Sequence, residues 1–184
     1  MKVTTTALPG CLIIEPKIFS DDRGYFYESF NQLVFNKAIG ENITFVQDNQ
    51  SKSARGVLRG LHYQLPPNAQ GKLVRAISGS ILDVAVDIRK SSATFGKWIS
   101  VELSQDNHKQ LWLPPGMAHG FVVLSEFAEV LYKASGYYSP SDERIIAWND
   151  PDIDIDWPIP AGESPIVSSR DLMGKPLVSI ETFK

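Results

Sequence analysis

A chain of 184 residues and 20.4 kDa, 43% apolar and 21% charged, has room for one packed core and lacks the composition of a disordered segment. Its 18 Lys and Arg against 21 Asp and Glu leave a net charge of -3, which argues against a nucleic-acid-binding surface. The single Cys11 excludes an internal disulfide framework, and only three histidines (His62, His108 and His119) exclude a site built from many imidazoles. Residues 1–10 show no apolar run of the secretory type, and no stretch approaches the ~20 apolar residues that span a bilayer. The expectation is a cytoplasmic protein with no membrane partner.

In chain order, strands are expected over residues 12–14 and 25–30, on either side of the turn Asp22-Arg23-Gly24. Asn31 then caps a helix in which Leu33, Val34 and Ala38 sit at helical spacing, and Gly40 stops it. Further strands are expected over 44–51, 57–64, 72–78, 81–88, 97–103, 110–113, 120–124 and 130–135. Pro66-Pro67-Asn68, Ser78-Gly79-Ser80 and Pro114-Pro115-Gly116 mark turns between them. From Pro151 the chain reads as irregular, with a short helix near 169–173, lying on the barrel rather than forming a second domain. Many short strands with a few short helices imply an all-β jelly-roll barrel covering 1–184 as a single domain.

Side chains two apart share a strand face. Over 44–51, Gln47, Asn49 and Ser51 share one face and Asp48 and Gln50 the other, which suits either an edge strand or the wall of a polar pocket. Over 57–64, Arg59 and His62 lie three apart and so fall on opposite faces of a regular strand. Bringing both to one ligand requires a bulge, and Gly60 is the place for it. Taken alone, His62 reads as a core histidine and Tyr132 as a core tyrosine with its hydroxyl bonded internally. Lys72 shares a face with Val74 and Ala76. The run Pro115-Gly116-Met117-Ala118-His119 has the P-x-G-x-x-H spacing of the second cupin motif when counted from Pro114, but no H-x-H pair accompanies it. A metal site is therefore not expected.

The chain resembles the dTDP-4-dehydrorhamnose 3,5-epimerase family of cupin-like jelly rolls. The resemblance is carried by Asp22-Arg23-Gly24-Tyr25-Phe26-Tyr27-Glu28, Phe45-Val46-Gln47-Asp48-Asn49, Val57-Leu58-Arg59-Gly60-Leu61-His62 and Gln70-Gly71-Lys72-Leu73-Val74-Arg75. Asp83-Val84-Ala85-Val86-Asp87-Ile88-Arg89, Pro115-Gly116-Met117-Ala118-His119-Gly120-Phe121, Leu131-Tyr132-Lys133 and Tyr137-Tyr138-Ser139-Pro140 complete it. It implies His62 as the base that removes a proton, Asp171 as its partner, Tyr132 as proton donor from the other side of the sugar, and Lys72 beside the enolate oxygen. It further implies Arg23 and Arg59 on the diphosphate, Glu28, Gln47, Asn49, His119 and Glu143 as substrate contacts, and Tyr138 stacked on thymine. Arg170 stands where the family often has Lys, keeping the charge but presenting a fork.

The implied substrate is a dTDP-linked 4-keto-6-deoxyhexose, whose C3 and C5 hydrogens both lie alpha to the C4 carbonyl. Inverting such a centre needs a base, an acid on the opposite face and a cation near the enolate, but no redox cofactor; no G-x-G-x-x-G loop is present. Cofactor-free epimerisation is therefore expected, and the resemblance implies a homodimer with the N-terminal strand carrying Arg23 and Glu28 into the partner's site. The alternatives are a C3-only or C5-only epimerase, a sugar-nucleotide ketoisomerase on a similar barrel, a non-catalytic carbohydrate-binding cupin and, least consistent with the histidines, a metal-dependent cupin dioxygenase.

Overall fold

Two antiparallel sheets face each other in the computed structural model, which describes residues 1–160 and 162–184. The six-stranded sheet runs β1 (Lys2–Thr5), β2 (Leu12–Glu15), β10 (Gln110–Leu113), β7 (Lys72–Ser78), β12 (Phe127–Ala134) and β5 (Gln47–Ala54). The five-stranded sheet runs β13 (Glu143–Ile145), β6 (Leu58–Gln64), β11 (Met117–Val123), β8 (Ser80–Asp87) and β9 (Trp98–Ser104). Among the described residues, strands β3 (Phe19–Asp21) and β4 (Gly24–Phe26) pair only with each other. The all-β jelly roll expected from strand spacing, cupin-like as the resemblance implies, is the observed architecture.

Alternation sorts the side chains into three apolar clusters. Between the sheets, Val74 and Ala76 of β7 and Ala128 and Val130 of β12 meet Ile81 and Ala85 of β8 and Phe121 and Val123 of β11. On the outer face of the six-stranded sheet, Leu73, Ile14 and Trp112 are covered by Phe35 of helix α1 (Gln32–Ile39). On the outer face of the five-stranded sheet, Leu58, Leu61, Val84, Val86 and Val122 are covered by Ile153, Trp157 and Leu177. The irregular C-terminal stretch therefore covers one sheet. Fully burying a side chain of this size contributes about 1.5–3 kcal/mol each, which gives that stretch reason to stay in place without regular structure.

The helix begins and ends where its caps predict. Asn31 accepts a hydrogen bond from the Val34 N–H at 3.2 Å, and Gly40 closes the last turn at φ 76°. Other boundaries differ. The strand expected over 25–30 stops at Phe26, because Tyr27 leaves the ladder to pack on Tyr25 and His108 and to accept a hydrogen bond from Arg75 at 3.1 Å. The strand expected over 44–51 runs instead from Gln47 to Ala54, because Ser51 to Ala54 find partners along β12. The strand expected over 120–124 starts three residues earlier, where Met117 pairs with Asp87. Strands β1, β3 and β13 carry no alternation long enough to read. Among the described residues, no helix is long and apolar enough to cross a membrane.

Candidate active site

A single glycine decides which way β6 presents its side chains. His62 pairs with His119, but Phe121, two residues further along β11, pairs with Arg59, three residues back along β6. The extra residue is a β-bulge, and it turns Arg59 and His62 to the same side while Leu58 and Leu61 both turn outward into the apolar cluster. Gly60 sits in the bulge at φ 131°, and a Cβ there would lie 2.5 Å from the Gly120 Cα. No other residue type fits both the backbone conformation and the space.

The side chains so aimed line a cavity of about 590 Å³ between the sheets. From the six-stranded sheet come Gln47, Asn49 and Ser51 of β5, Lys72 of β7 and Tyr132 of β12. The register fixes their order: Tyr132 lies opposite both Asn49 and Val74, and Ala134 lies opposite Gln47 and Lys72. From the five-stranded sheet come Arg59, His62 and Gln64 of β6, His119 and Phe121 of β11, and Glu143 of β13. Tyr138, Ser168, Arg170 and Asp171 also line it. Strand β5 thus meets both readings of its polar faces, since it ends its sheet and also lines the pocket.

Carboxylates flank His62 on both ring nitrogens. Nε2 lies 2.6 Å from Asp171 Oδ1, and Nδ1 lies 3.1 Å from Glu143 Oε1. Asp171 is buried in a 3-10 turn (Asp171–Met173), where the Ser168 hydroxyl donates to its Oδ2 at 2.7 Å and the Gly60 N–H approaches Oδ1 at 3.4 Å. Burial works against a charged imidazole at His62, but the hydrogen bonds to Asp171 and Glu143 outweigh it, and the pKa is raised. Both partner carboxyls are held below their usual range: burial pushes each up, and the bond from His62 leads the groups that reverse this. Glu143 also accepts from the Tyr138 hydroxyl at 2.9 Å and pairs with Arg170.

Lys72 is buried, which pulls its pKa down to about 8 although Glu143 and Asp83 pull the other way. Its ammonium stands 5.7 Å from the centre of the Tyr132 ring. Burial raises the pKa of Tyr132, with the charge of Glu143 adding to it, so the phenol holds its proton at neutral pH. Neither His62 nor Tyr132 is a core residue. Each is only partly buried and lines the open cavity.

Arg23 and Glu28 do not join these residues within one chain. Arg23 is exposed and ion-paired with Asp21 in the β3–β4 hairpin, and Glu28 accepts from the Asn31 side chain at 3.2 Å. Three residues not singled out from sequence support the site from behind. Asp83 is fully buried and lies 2.7 Å from His119 Nε2. Ser53 accepts from Arg59 Nε at 3.0 Å, and Ser168 anchors Asp171. Asp83 carries a signal as a carboxylate inside the apolar run of β8, flanked by Leu82 and Val84, and Ser168 as a serine three residues before an aspartate. Ser53 offers no such signal. Among the described residues, no group of three or more His, Cys, Asp or Glu is placed to hold a metal ion.

A base, an acid and a cation on facing walls can shift protons at a carbon next to a carbonyl. Comparison with known proteins agrees with this chemistry. Residues 5–179 match the family model described as dTDP-4-dehydrorhamnose 3,5-epimerase. A Shigella flexneri protein named dTDP-4-dehydrorhamnose 3,5-epimerase is 56% identical over 183 residues, covering 100% of this chain and 99% of that protein. A crystal structure of the dTDP-6-deoxy-D-glucose-3,5-epimerase of Legionella pneumophila, in complex with dTDP-4-keto-L-rhamnose, superposes with a TM-score of 0.93 at 48% identity, covering 98% and 94% of the two chains. A 3'-monoepimerase from Streptomyces bikiniensis in complex with dTDP-quinovose superposes with a TM-score of 0.88 at 35% identity, covering 94% and 86%.

Proposed function

The chain belongs to the dTDP-4-dehydrorhamnose 3,5-epimerase family, and from that membership we propose that it inverts C3 and C5 of dTDP-4-dehydro-6-deoxy-D-glucose to give dTDP-4-dehydro-L-rhamnose. The observation that carries this reading is the placement of His62 on one wall of the cavity and of Tyr132 and Lys72 on the other.

In this reading the nucleotide sugar lies between the two sheets with its C4 carbonyl toward Lys72. His62 takes the proton from the alpha carbon, and Asp171 stabilises the imidazolium that forms. The electron pair of the C–H bond moves onto the carbonyl oxygen, where the Lys72 ammonium offsets the charge of the enolate. Tyr132 returns a proton to the opposite face of the same carbon, and solvent restores Tyr132 and His62. The same sequence at the second alpha carbon completes the reaction. Its raised pKa keeps Tyr132 in the acid form until the much more basic carbanion is made. Arg59 and Arg170 hold the diphosphate by paired N–H contacts, and Tyr138 offers its exposed ring to the thymine. Gln47, Asn49, His119 and Glu143 supply the remaining polar contacts to the substrate.

The reading also includes a homodimer. Among the described residues, hairpin β3–β4 pairs with no other strand, and it exposes Tyr25 and Phe26 at 61% and 70%, which supports a role as an arm laid on a second copy. Arg23 and Glu28 would then reach the partner's cavity.

Heavy water tests the reading. With the 4-keto sugar nucleotide, the wild-type protein is expected to wash deuterium into C3 and C5, and His62→Ala to lose exchange at both. Unchanged exchange in His62→Ala would overturn the base assignment. Tyr132→Phe should slow inversion more than exchange, and equal slowing would remove Tyr132 as donor. The second reading, inversion at one centre only, is favoured by the likeness to the Streptomyces 3'-monoepimerase. NMR of the product separates the two, since only double inversion gives the L-rhamno configuration.

A further inference from the structure

A base needs a free lone pair, and His62 has none to offer in this arrangement. With a carboxylate 2.6 Å from Nε2 and another 3.1 Å from Nδ1, both ring nitrogens are placed to donate, which only the imidazolium can do. One of the two contacts has to open before His62 can accept a proton from carbon. The two are held differently. Asp171 is 4% exposed and is fixed from below by the Ser168 hydroxyl and the Gly60 N–H. Glu143 is held on its other oxygen by Tyr138 and Arg170, two exposed groups at the cavity rim. Those are the groups that a stacked base and a diphosphate would draw away.

We propose that Glu143 is a latch opened by the nucleotide sugar: ligand binding takes Tyr138 and Arg170, Glu143 releases His62 Nδ1, and the imidazolium gives up its Nδ1 proton to solvent. His62 is then neutral, still oriented by Asp171 at Nε2, with the Nδ1 lone pair directed at the substrate. The inference rests on the reading of His62 as the base. The charged and titratable groups around His62 are Glu143 from β13, Asp171 from the 3-10 turn, Lys72 from β7, and His119, its register partner on β11. Burial and Lys72 disfavour the imidazolium while the two carboxylates favour it, and the net raised pKa fits a ring that rests charged. Removing Glu143 from this set leaves burial and Lys72 opposed by Asp171 alone. The latch keeps the base protonated in the empty site and couples its activation to occupancy.

Binding should therefore release protons. The probe is dTDP-glucose, which lacks the C4 carbonyl and does not react, and whose diphosphate is fully ionised near neutral pH. Calorimetric titration in buffers of different ionisation enthalpy counts the protons. Wild type should release roughly half a proton or more per site at a pH between the free and bound midpoints of His62, and Glu143→Gln should release close to none. In case Glu143→Gln binds the probe poorly, NMR titration of the His62 ring in the free proteins gives a second measure. Its midpoint should fall in Glu143→Gln relative to wild type. A wild type that releases no proton at any pH from about 5 to 9, or a His62 midpoint unmoved in Glu143→Gln, overturns the latch. Either result leaves the base assignment intact if His62→Ala has lost deuterium exchange, and retained exchange there would remove the base assignment independently.

Discussion

The cavity holds an ammonium that folding has to desolvate, and its removal should make the protein more stable and less active. Lys72 is 9% exposed, and burial lowers its pKa from 10.5 to about 8. At pH 7 it is charged in both folded and unfolded chains. Each tenfold loss of proton affinity on folding corresponds to about 1.4 kcal/mol, so carrying the charge inside costs about 3 kcal/mol. Lys72→Met keeps the length and apolar stem while deleting the charge. Its free energy of unfolding at pH 7 should exceed that of wild type by about 2–3 kcal/mol, while turnover falls about 100-fold or more with the loss of the enolate's counter-charge. The sign of the pH dependence follows from the depressed pKa. Between pH 8 and 10.5 the unfolded chain binds more protons at this position than the folded one, so wild-type stability gains from this group as pH rises. The difference between the two proteins should therefore shrink across that window. Urea unfolding followed by tryptophan fluorescence, at fixed protein concentration and at pH 7 and about 10, measures it. A Lys72→Met protein less stable than wild type at pH 7, or a difference that does not change with pH, would refute the reasoning.

Gly60→Ala places a methyl 2.5 Å from the Gly120 backbone at a φ of 131°, so it should destabilise the fold by about 3 kcal/mol or more, read as a fall in the denaturation midpoint. Ser168→Ala removes the hydroxyl that anchors Asp171 and should lower kcat about 3- to 30-fold with little change in KM, read from steady-state rates. If the β3–β4 arm serves the partner's site, Arg23→Ala and His62→Ala proteins, each impaired alone, should recover activity when unfolded and refolded together. The mixed dimer would then carry one site with both residues intact, and no recovery on mixing would count against arm exchange.

Where strands alternate without interruption, the sequence was sufficient. The inward face of β7, with Lys72, Val74 and Ala76 together, follows from spacing alone, and so does the capped helix between Asn31 and Gly40. The site was legible only in part. Alternation places Arg59 and His62 on opposite faces, and the bulge that reunites them is anticipated at Gly60 but is decided by how β6 meets β11, a pairing between segments some 60 residues apart in sequence. Asp171 lies 109 residues from His62 and in no strand, so only the family resemblance proposed their pairing before the structure placed them 2.6 Å apart. Among the supporting side chains, Asp83 and Ser168 carry weak local signals, while Ser53 is an ordinary polar residue until its partner Arg59 is known. The termini of strands such as β5 and β11 depend on which neighbour continues to offer backbone partners, information that no local window contains.

His62 and Tyr132 stand on different sheets, and this makes the hydrophobic core a caliper. Face-to-face sheets settle about 10 Å apart, a distance set by the volumes of the side chains between them. The gap across which a sugar ring would be pinched is therefore not adjusted by the polar residues that touch it. It is adjusted by Val74, Ala85 and Val130, which hold the sheets apart from within the core. Trimming or enlarging one of these should change the distance between His62 and Tyr132 across the cavity. Relatives that share the polar residues can thus differ in which carbon they invert through apolar substitutions that a search confined to the cavity lining would pass over.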